Sequence, residues 1–405
     1  MRTTRRRAMA VAAGAAVSAT APQGMRAARV TADVAIVGAG VFGAWTAWHL
    51  ARRGLTVRLL DQYGIGHARA SSGGESRVIR LSYGGDAIYS PMARESLALW
   101  GALSARSPLP LLHRIGVLWF SPSHDKYMAD SLGWLRANGV SHESGALDWL
   151  QRSYPQIAFD EGESGFFERD SGALMAARGV QSVVADSGLT PQRAQAGPPV
   201  RLSNGDYRVG EAVARHLVYA CGPWLPELFP TELGGRIVPT RQEVYHFGPA
   251  PGDPRFSPPA LPVWADFNGG DMVYGLPDLE GQGFKLAFDR HGAVVDPDTQ
   301  DRRVSADGIA GARAYLARRF PGLADAPYVH GRVCQYENSS NGDFLIDRLP
   351  GHERVWLVGA GSGHGFKHGP AVGRRVADHI LDAALAIEPR FALSAKAATQ
   401  ARTVY

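Results

Sequence analysis

Residues 33–61 read DVAIVGAGVFGAWTAWHLARRGLTVRLLD, and the fold of the chain turns on them. The β-branched run from Asp33 to Val37 predicts a short strand. Gly38, Gly40 and Gly43 then form G-x-G-x-x-G and open a helical stretch that ends at Gly54. A second apolar run, TVRLL, ends at Asp61, 23 residues after Gly38. Each part has a physical task. Gly38 permits the tight turn, Gly40 lets the backbone approach a pyrophosphate, and Gly43 lets helix and strand pack closely. The helix N-terminus faces the phosphate charge, and Asp61 can accept hydrogen bonds from a ribose. Strand, helix, second strand and terminal acid agree on a dinucleotide site, although the motif alone does not separate NAD from FAD.

Only one such fingerprint is present, so a second dinucleotide is not indicated. A later stretch, RHLVYACGPWLPEL (215–228), reads as a buried strand ending at Cys221-Gly222 and followed by a helix. The nucleotide domain is therefore expected to be assembled from separated segments. PMARESLALWGAL (91–103) has helical spacing, while HRIGVLWF (113–120), TRQEVYHF (240–247), DMVYGLP (271–277) and GFKLAFD (283–289) read as strands. No internal repeat is visible, and the Ala- and Ser-rich end after about Ala384 predicts a loosely ordered tail.

At 405 residues, with 45% apolar and 20% charged residues, the chain has the totals of a two-domain globular protein. It contains no 18-residue apolar run that would span a bilayer, so stable membrane insertion is not expected. The net charge of +5 is misleading, because Arg2, Arg5, Arg6, Arg7, Arg26 and Arg29 face no acid within the first 29 residues. The surplus belongs to the leader, and nucleic-acid binding is not indicated. That leader, MRTTRRRAMAVAAGAAVSATAPQG, has a basic start, small apolar residues and Ala19-Thr20-Ala21, as in an export signal. TRRRAMA resembles a twin-arginine signal, with Ala8 in place of the usual bulky residue. Pro22 is a poor cleavage neighbour, and a start at Met25 would instead give a cytosolic protein.

Two sparse residue types draw attention. Of 43 basic residues only Lys126, Lys285, Lys367 and Lys396 are lysine. Lys126 and Lys396 lie in polar segments expected to be exposed. Lys285 and Lys367 lie in apolar or glycine-rich ones, where a compact ammonium can bind a carboxylate or organise a water. Cysteine is scarcer still, with only Cys221 and Cys334. Cys334 precedes VWLVGAGSGHGFKHG, a strand running into a glycine loop. A disulfide with Cys221, an inert core thiol and a bond to a non-protein group all remain open on these grounds. His364 and His368 have the spacing of a metal pair but no third ligand, so no metal is expected.

Four blocks together resemble the monomeric sarcosine oxidase and N-methyltryptophan oxidase family, FAD enzymes of the D-amino-acid-oxidase-like group, over most of residues 31–385. The first block is the fingerprint. The second is SSGGESRVIRLSYG (71–84), the third YGLPDLEGQGFK (274–285), and the fourth joins CQYENSSNGDFLID to GSGHGFK, with 33 residues from Cys334 to Lys367. The resemblance implies that Arg77 lies beside the flavin, and that Arg80 and Lys367 bind the substrate carboxylate. Tyr274 and Tyr336 would line the substrate cavity, and Lys285 would activate dioxygen through a water. It further implies that Cys334 carries FAD as an 8α-S-cysteinyl thioether. Ser71, Ser72, Gly222, Gly363, Gly365 and Lys367 join Gly38, Gly40, Gly43, Asp61 and Arg77 in the implied cofactor-binding set. Two departures stand out: Asp289 replaces the family's active-site histidine, with His291 two residues further on, and Gly73 replaces a histidine beside the flavin. Asp289 puts sarcosine itself in question as the substrate more than the reaction class.

The implied fold class is α/β, with an α+β second domain. A Rossmann-like FAD-binding domain (30–110, 170–236 and 331–388) is interleaved with a substrate domain (111–169 and 237–330) built on a mixed, largely antiparallel sheet. Residues 1–29 form the leader and 389–405 the loose tail. The implied activity is oxidation of a secondary or primary amino acid at its C–N bond to an imine that hydrolyses, with dioxygen reduced to hydrogen peroxide. The expected partners are a small amino-acid-like substrate and dioxygen, and the expected state is a monomer. The rivals are a related dehydrogenase with another electron acceptor and a flavin-binding protein without turnover.

Overall fold

A computed structural model describes residues 31–268 and 272–399. The leader and the last six residues lie outside the described residues. The opening motif folds as read: β1 (Ala32–Val37), α1 (Val41–Arg52) and β2 (Val57–Asp61), with β1 and β2 parallel. Gly38 has φ +101°, and a Cβ on Gly43 would stand 1.9 Å from the Gly38 carbonyl oxygen. Helix and turn can therefore touch only through glycine. Every residue of α1 from Val41 to Leu50 is buried, which fits a helix enclosed by a sheet on one side and helices on the other. Helix Gly369–Leu381 crosses it so closely that a Cβ on Gly373 would lie 2.5 Å from the Trp45 backbone.

β1 pairs in parallel with β2 and with strand Ala212–Tyr219, which pairs in parallel with His352–Gly359. Segments far apart in the chain thus close one sheet around β1. The second sheet has eight strands. Its order runs Tyr328–Ser339, Ile237–Phe247, Phe284–Phe288, Val273–Leu276, Val263–Asp266, Val117–Pro122, Glu163–Glu168, His142–Ala146. All its pairs are antiparallel except Val263–Asp266 with Val117–Pro122. A three-stranded sheet of Ser76–Ile79, Gly172–Met175 and Leu112–His113 stands apart from both.

Several expectations are corrected. The boundary at 331 cuts a twelve-residue strand, Tyr328–Ser339, that pairs with Ile237–Phe247 along its length. Cys334 and Tyr336 therefore belong to the eight-stranded mixed sheet expected to form the substrate domain, because the pairing with Ile237–Phe247 runs through to Ser339. The 113–120 strand is two pieces, because Gly116 at φ +73° turns the chain between them. The helix after Cys221 breaks into short turns, Gly222–Trp224, Leu225–Leu228 and Pro230–Leu233, at its prolines. The tail is not loose over residues 389–396. Phe391 is buried, and Arg390 reaches both Asp343 and Asp86. Lys396, expected to be exposed, is 1% exposed and donates to Asn341 Oδ1 and the Arg390 carbonyl. Lys126 is exposed, as expected.

Candidate active site

Two adjoining cavities share Arg77, Tyr274, Tyr336, Gly363 and Phe366 as a common wall. The longer is a cleft running from the α1 turn and Asp61 past Ser71, Ser72 and Gly222 to Lys285, Cys334 and Gly365. The smaller is lined by Arg80, Trp119, Met272, Asp289, His364 and Lys367.

The cleft begins where β2 ends. Asp61 accepts from Ala39 N through Oδ2 and from Tyr63 N and Gly64 N through Oδ1, all within 2.8 Å. It thus pins the glycine turn while lining the cleft. α1 has no side-chain cap of its own, and Ser72 Oγ accepts from Val41 N at 2.9 Å across 31 residues. Ser71 Oγ donates to the Gln335 carbonyl and ties the 71–77 segment to the cysteine strand. Arg77 donates to the Ser71, Gly73 and Ser76 carbonyls, and its Nη2 lies 4.0 Å from Cys334 Sγ. Three carbonyls fix the guanidinium beside the thiol. Gly43 lies beneath the turn and outside the cleft wall, so its role is packing. Gly73, in the place of the family's histidine, does not leave open space, since a Cβ there would stand 2.4 Å from the His67 carbonyl oxygen. Backbone fills the space instead.

Both cysteines are free thiols, so the disulfide alternative does not form. Cys221 Sγ donates to the Val37 carbonyl, and its burial first, then the Asp61 and Glu337 charges, push that thiol far up. Cys334 is half-buried on the cleft wall.

Lys285 is 2% exposed and donates to the Ser76 carbonyl at 2.8 Å. Burial, then the Arg77 charge, push its ammonium down to about 7 against the pull of Glu75. Burial alone would raise Glu75, but its ion pair with Arg332 outweighs this and holds it at about 2. Sequence reasoning passed over that pair, whose members are 257 residues apart. Glu337 was missed too. It lines the cleft, 6% exposed, with Oε1 lacking a hydrogen-bond partner, and burial raises it to about 8.

In the smaller cavity the Arg80 guanidinium, 5% exposed, lies 4.1 Å from the Tyr83 ring and 5.1 Å from the Trp119 ring. Its Nη1 donates to the Ser82 carbonyl and to Tyr127 Oη. The following backbone is held by Glu168, which accepts from Leu81 N, Ser82 N, Trp119 Nε1 and Ser171 Oγ. Glu168 carries no motif and was invisible in sequence. Lys367 Nζ donates to Tyr83 Oη at 2.8 Å and to the His364 carbonyl. Burial, then Arg80, hold its ammonium well below the usual range, while Asp289 opposes them. Lys367 lines the smaller cavity and not the cleft, unlike Asp61, Ser71, Ser72 and Cys334 of the implied cofactor-binding set. Tyr83 gathers His364 Nδ1 and His368 Nε2 as well, which explains that histidine spacing. Among the described residues no cluster could hold a metal. Tyr336 donates to Asp289 Oδ1 at 2.9 Å, and Tyr274 completes the group. His291 is exposed and stands outside both cavities.

The chain belongs to the FAD dependent oxidoreductase family, whose model matches residues 33–379. It is 32% identical over 366 residues to the monomeric sarcosine oxidase of Streptomyces avermitilis, covering 87% of this chain and 94% of that protein. It is 29% identical over 367 residues to the N-methyl-L-tryptophan oxidase of Salmonella arizonae, covering 86% and 95%. Two solved structures share the fold at 21% identity. NikD, an amino acid oxidase of nikkomycin biosynthesis, has a TM-score of 0.74 over 90% of this chain and 98% of its own. Glycine oxidase from Geobacillus kaustophilus has 0.71 over 89% and 98%. The protein is an FAD-dependent oxidoreductase of the amine- and amino-acid-oxidase type.

Proposed function

We propose that the enzyme oxidises the C–N bond of a secondary (N-methyl or cyclic) or primary amino acid to an imine, which water hydrolyses. Dioxygen is the acceptor and hydrogen peroxide the second product. One observation carries this reading: two basic side chains, Arg80 and Lys367, line one small cavity that meets the cleft at Arg77, Tyr274 and Tyr336.

The cleft fits a flavin dinucleotide. It joins a helix N-terminus and a carboxylate to a free thiol, and the orphaned Oε1 of Glu337 belongs to its lining. Gly38, Gly40, Asp61, Ser71, Ser72 and Arg77 would hold the cofactor, with Cys334 Sγ as its thioether tether. FAD when bound supplies the two-electron acceptor that no side chain provides. Arg80 and Lys367 clamp a carboxylate and so fix the amine end toward the shared wall, a positioning effect. The apolar faces of Trp119 and Met272 exclude water around it. Lys285 holds positive charge on the cleft side, where reduction of dioxygen develops negative charge.

Anaerobic addition of N-methyl, cyclic and primary amino acids to the purified yellow protein tests the reading. Bleaching by at least one of them is expected, and a colourless response to none would favour flavin binding without turnover. Stopped-flow mixing of the reduced protein with air-saturated buffer then separates oxidase from dehydrogenase, since slow return of colour excludes dioxygen as the acceptor. The leader adds a proposal of its own, export by the twin-arginine route as a folded monomer. N-terminal sequencing of secreted protein should start near Pro22, and a cytosolic product starting at Met25 would overturn it.

A further inference from the structure

Glu337 lines the cleft, yet it is absent from the set of residues implied to hold the cofactor. It stands three residues after Cys334 near the end of strand Tyr328–Ser339, and its carbonyl accepts from Ser362 N at 3.0 Å. Period two turns its side chain away from the face that carries Cys334 and Tyr336. A Cβ on Gly359 would stand 2.4 Å from Glu337 Oε1 and 2.5 Å from Leu225 Cδ1, so only glycine leaves room for the carboxyl there. The residue is 6% exposed, and Oε1 has no hydrogen-bond partner. Among the described residues no cation acts on the group, and only the backbone N–H groups of Ala360 and Gly361 oppose the effect of burial. Its titratable neighbour is Cys221, just after strand Ala212–Tyr219, whose thiol is kept neutral by its own burial. Pro239, opposite Glu337 on the partner strand, and Leu225 bring no charge either. A carboxylate in such surroundings is costly, whereas a neutral acid is tolerated and can donate a hydrogen bond.

We infer that Glu337 is a cofactor-binding residue, a neutral acid that donates a hydrogen bond to an oxygen of the bound dinucleotide, and that retention of FAD depends on that proton. The inference rests on the reading of the cleft as the FAD site. FAD carries acceptor oxygens along its length, and its pyrophosphate is anionic, so an ionised Glu337 would repel what the neutral acid holds. Burial sets the loss of this proton at about 8. An acceptor bound to the acid form raises that value further. Binding is therefore insensitive to pH below about 8 and weakens by up to about tenfold per pH unit above it.

The test uses C334A holoprotein, from which dilution can release FAD, and the fluorescence of free flavin gives the dissociation constant between pH 6 and 9.5. In C334A the constant should rise by about tenfold or more from pH 7 to pH 9.5. Lys285 lines the same cleft and titrates at about 7, so the rise is read as a difference between variants. C334A/E337Q keeps a donor that cannot ionise, and it should bind FAD within about twofold of C334A at pH 7 and lose the rise. C334A/E337M keeps the bulk without the donor, and it should bind about tenfold more weakly at pH 7, again without the rise. Should one double variant fail to fold by circular dichroism, the other still separates the proton from the packing. A flat profile in C334A, a rise that survives in E337Q or E337M, or E337M binding as tight as that of C334A at pH 7 overturns the inference. Bleaching by amino acids together with a flat profile removes only this assignment. A rise that depends on Glu337, without bleaching by any amino acid, removes the oxidase reading and leaves the assignment standing.

Discussion

Lys285 shows how a single residue can be legible in sequence while its chemistry is not. Its rarity among 43 basic residues marked it, and so did the resemblance. Only packing gives it an ammonium near 7, because burial and Arg77 oppose the proton. The cation therefore predominates below pH 7 and is lost as pH rises through that value. Flavin reoxidation by dioxygen should slow between pH 6 and 8, and K285M should slow it by about 100-fold with little pH dependence. Anaerobic reduction by substrate should change only a few-fold, and stopped-flow spectra separate the two half-reactions. Before cofactor binding the same depressed value has a stability consequence. The unfolded lysine stays protonated to about 10.4, so the unfolded state binds more protons above pH 7 and stability rises with pH there. Cys334 poses the same contrast. Its scarcity and spacing were visible, whereas its exposure on the cleft wall 4.0 Å from Arg77 comes from pairing with Ile237–Phe247. Acid precipitation of wild-type protein should give a yellow pellet and that of C334A a colourless one.

Elements carry the site because their periods decide which side chains share a face. In the Tyr328–Ser339 strand, Cys334 and Tyr336 are two residues apart and stand opposite Gln242 and Thr240. Period two puts both on one side, and a one-residue slip would turn both away. The quoted sequence contained that spacing. The partner strand, nearly 100 residues earlier, was not deducible from it. At the other end of the cleft, α1 meets the turn through Gly43, whose Cβ would stand 1.9 Å from a carbonyl oxygen. G43A should cost about 1–3 kcal/mol and lower the fraction of protein recovered with FAD, measured by denaturant unfolding and by the flavin-to-protein absorbance ratio. S72A removes the distant cap on Val41 N and should cost about 1 kcal/mol in the same assay.

At the scale of the molecule, the C-terminal segment is a strap. Arg390 joins Asp86 to Asp343, Lys396 reaches Asn341, and Ala397 N donates to Ser340 Oγ. All three contacts on the 340–343 turn lie just beyond the strand bearing Cys334 and Tyr336. Ser339 N in turn donates to Ser362 Oγ beside the glycine loop. Deletion of residues 389–405 should lower the apparent unfolding midpoint by about 5 °C or more and reduce FAD retention, read by thermal unfolding of holoenzyme. An Ala- and Ser-rich composition gave no hint of this, because docking depends on acids 46 to 304 residues away. By itself the sequence determined the glycine turn, its strand and helix, the acid that ends the second strand and the scarce residues that line the two cavities. Those signals are local: backbone sterics, hydrophobic period and residue chemistry act within a few positions of one another. Tertiary structure alone decided that Cys334 belongs to the eight-stranded mixed sheet, that Glu168 holds the backbone after Arg80 and Tyr83 receives Lys367, and that Lys396 is buried. Burial, charge pairing and a shifted proton affinity depend on groups brought together from distant segments, and no local pattern encodes which distant group arrives.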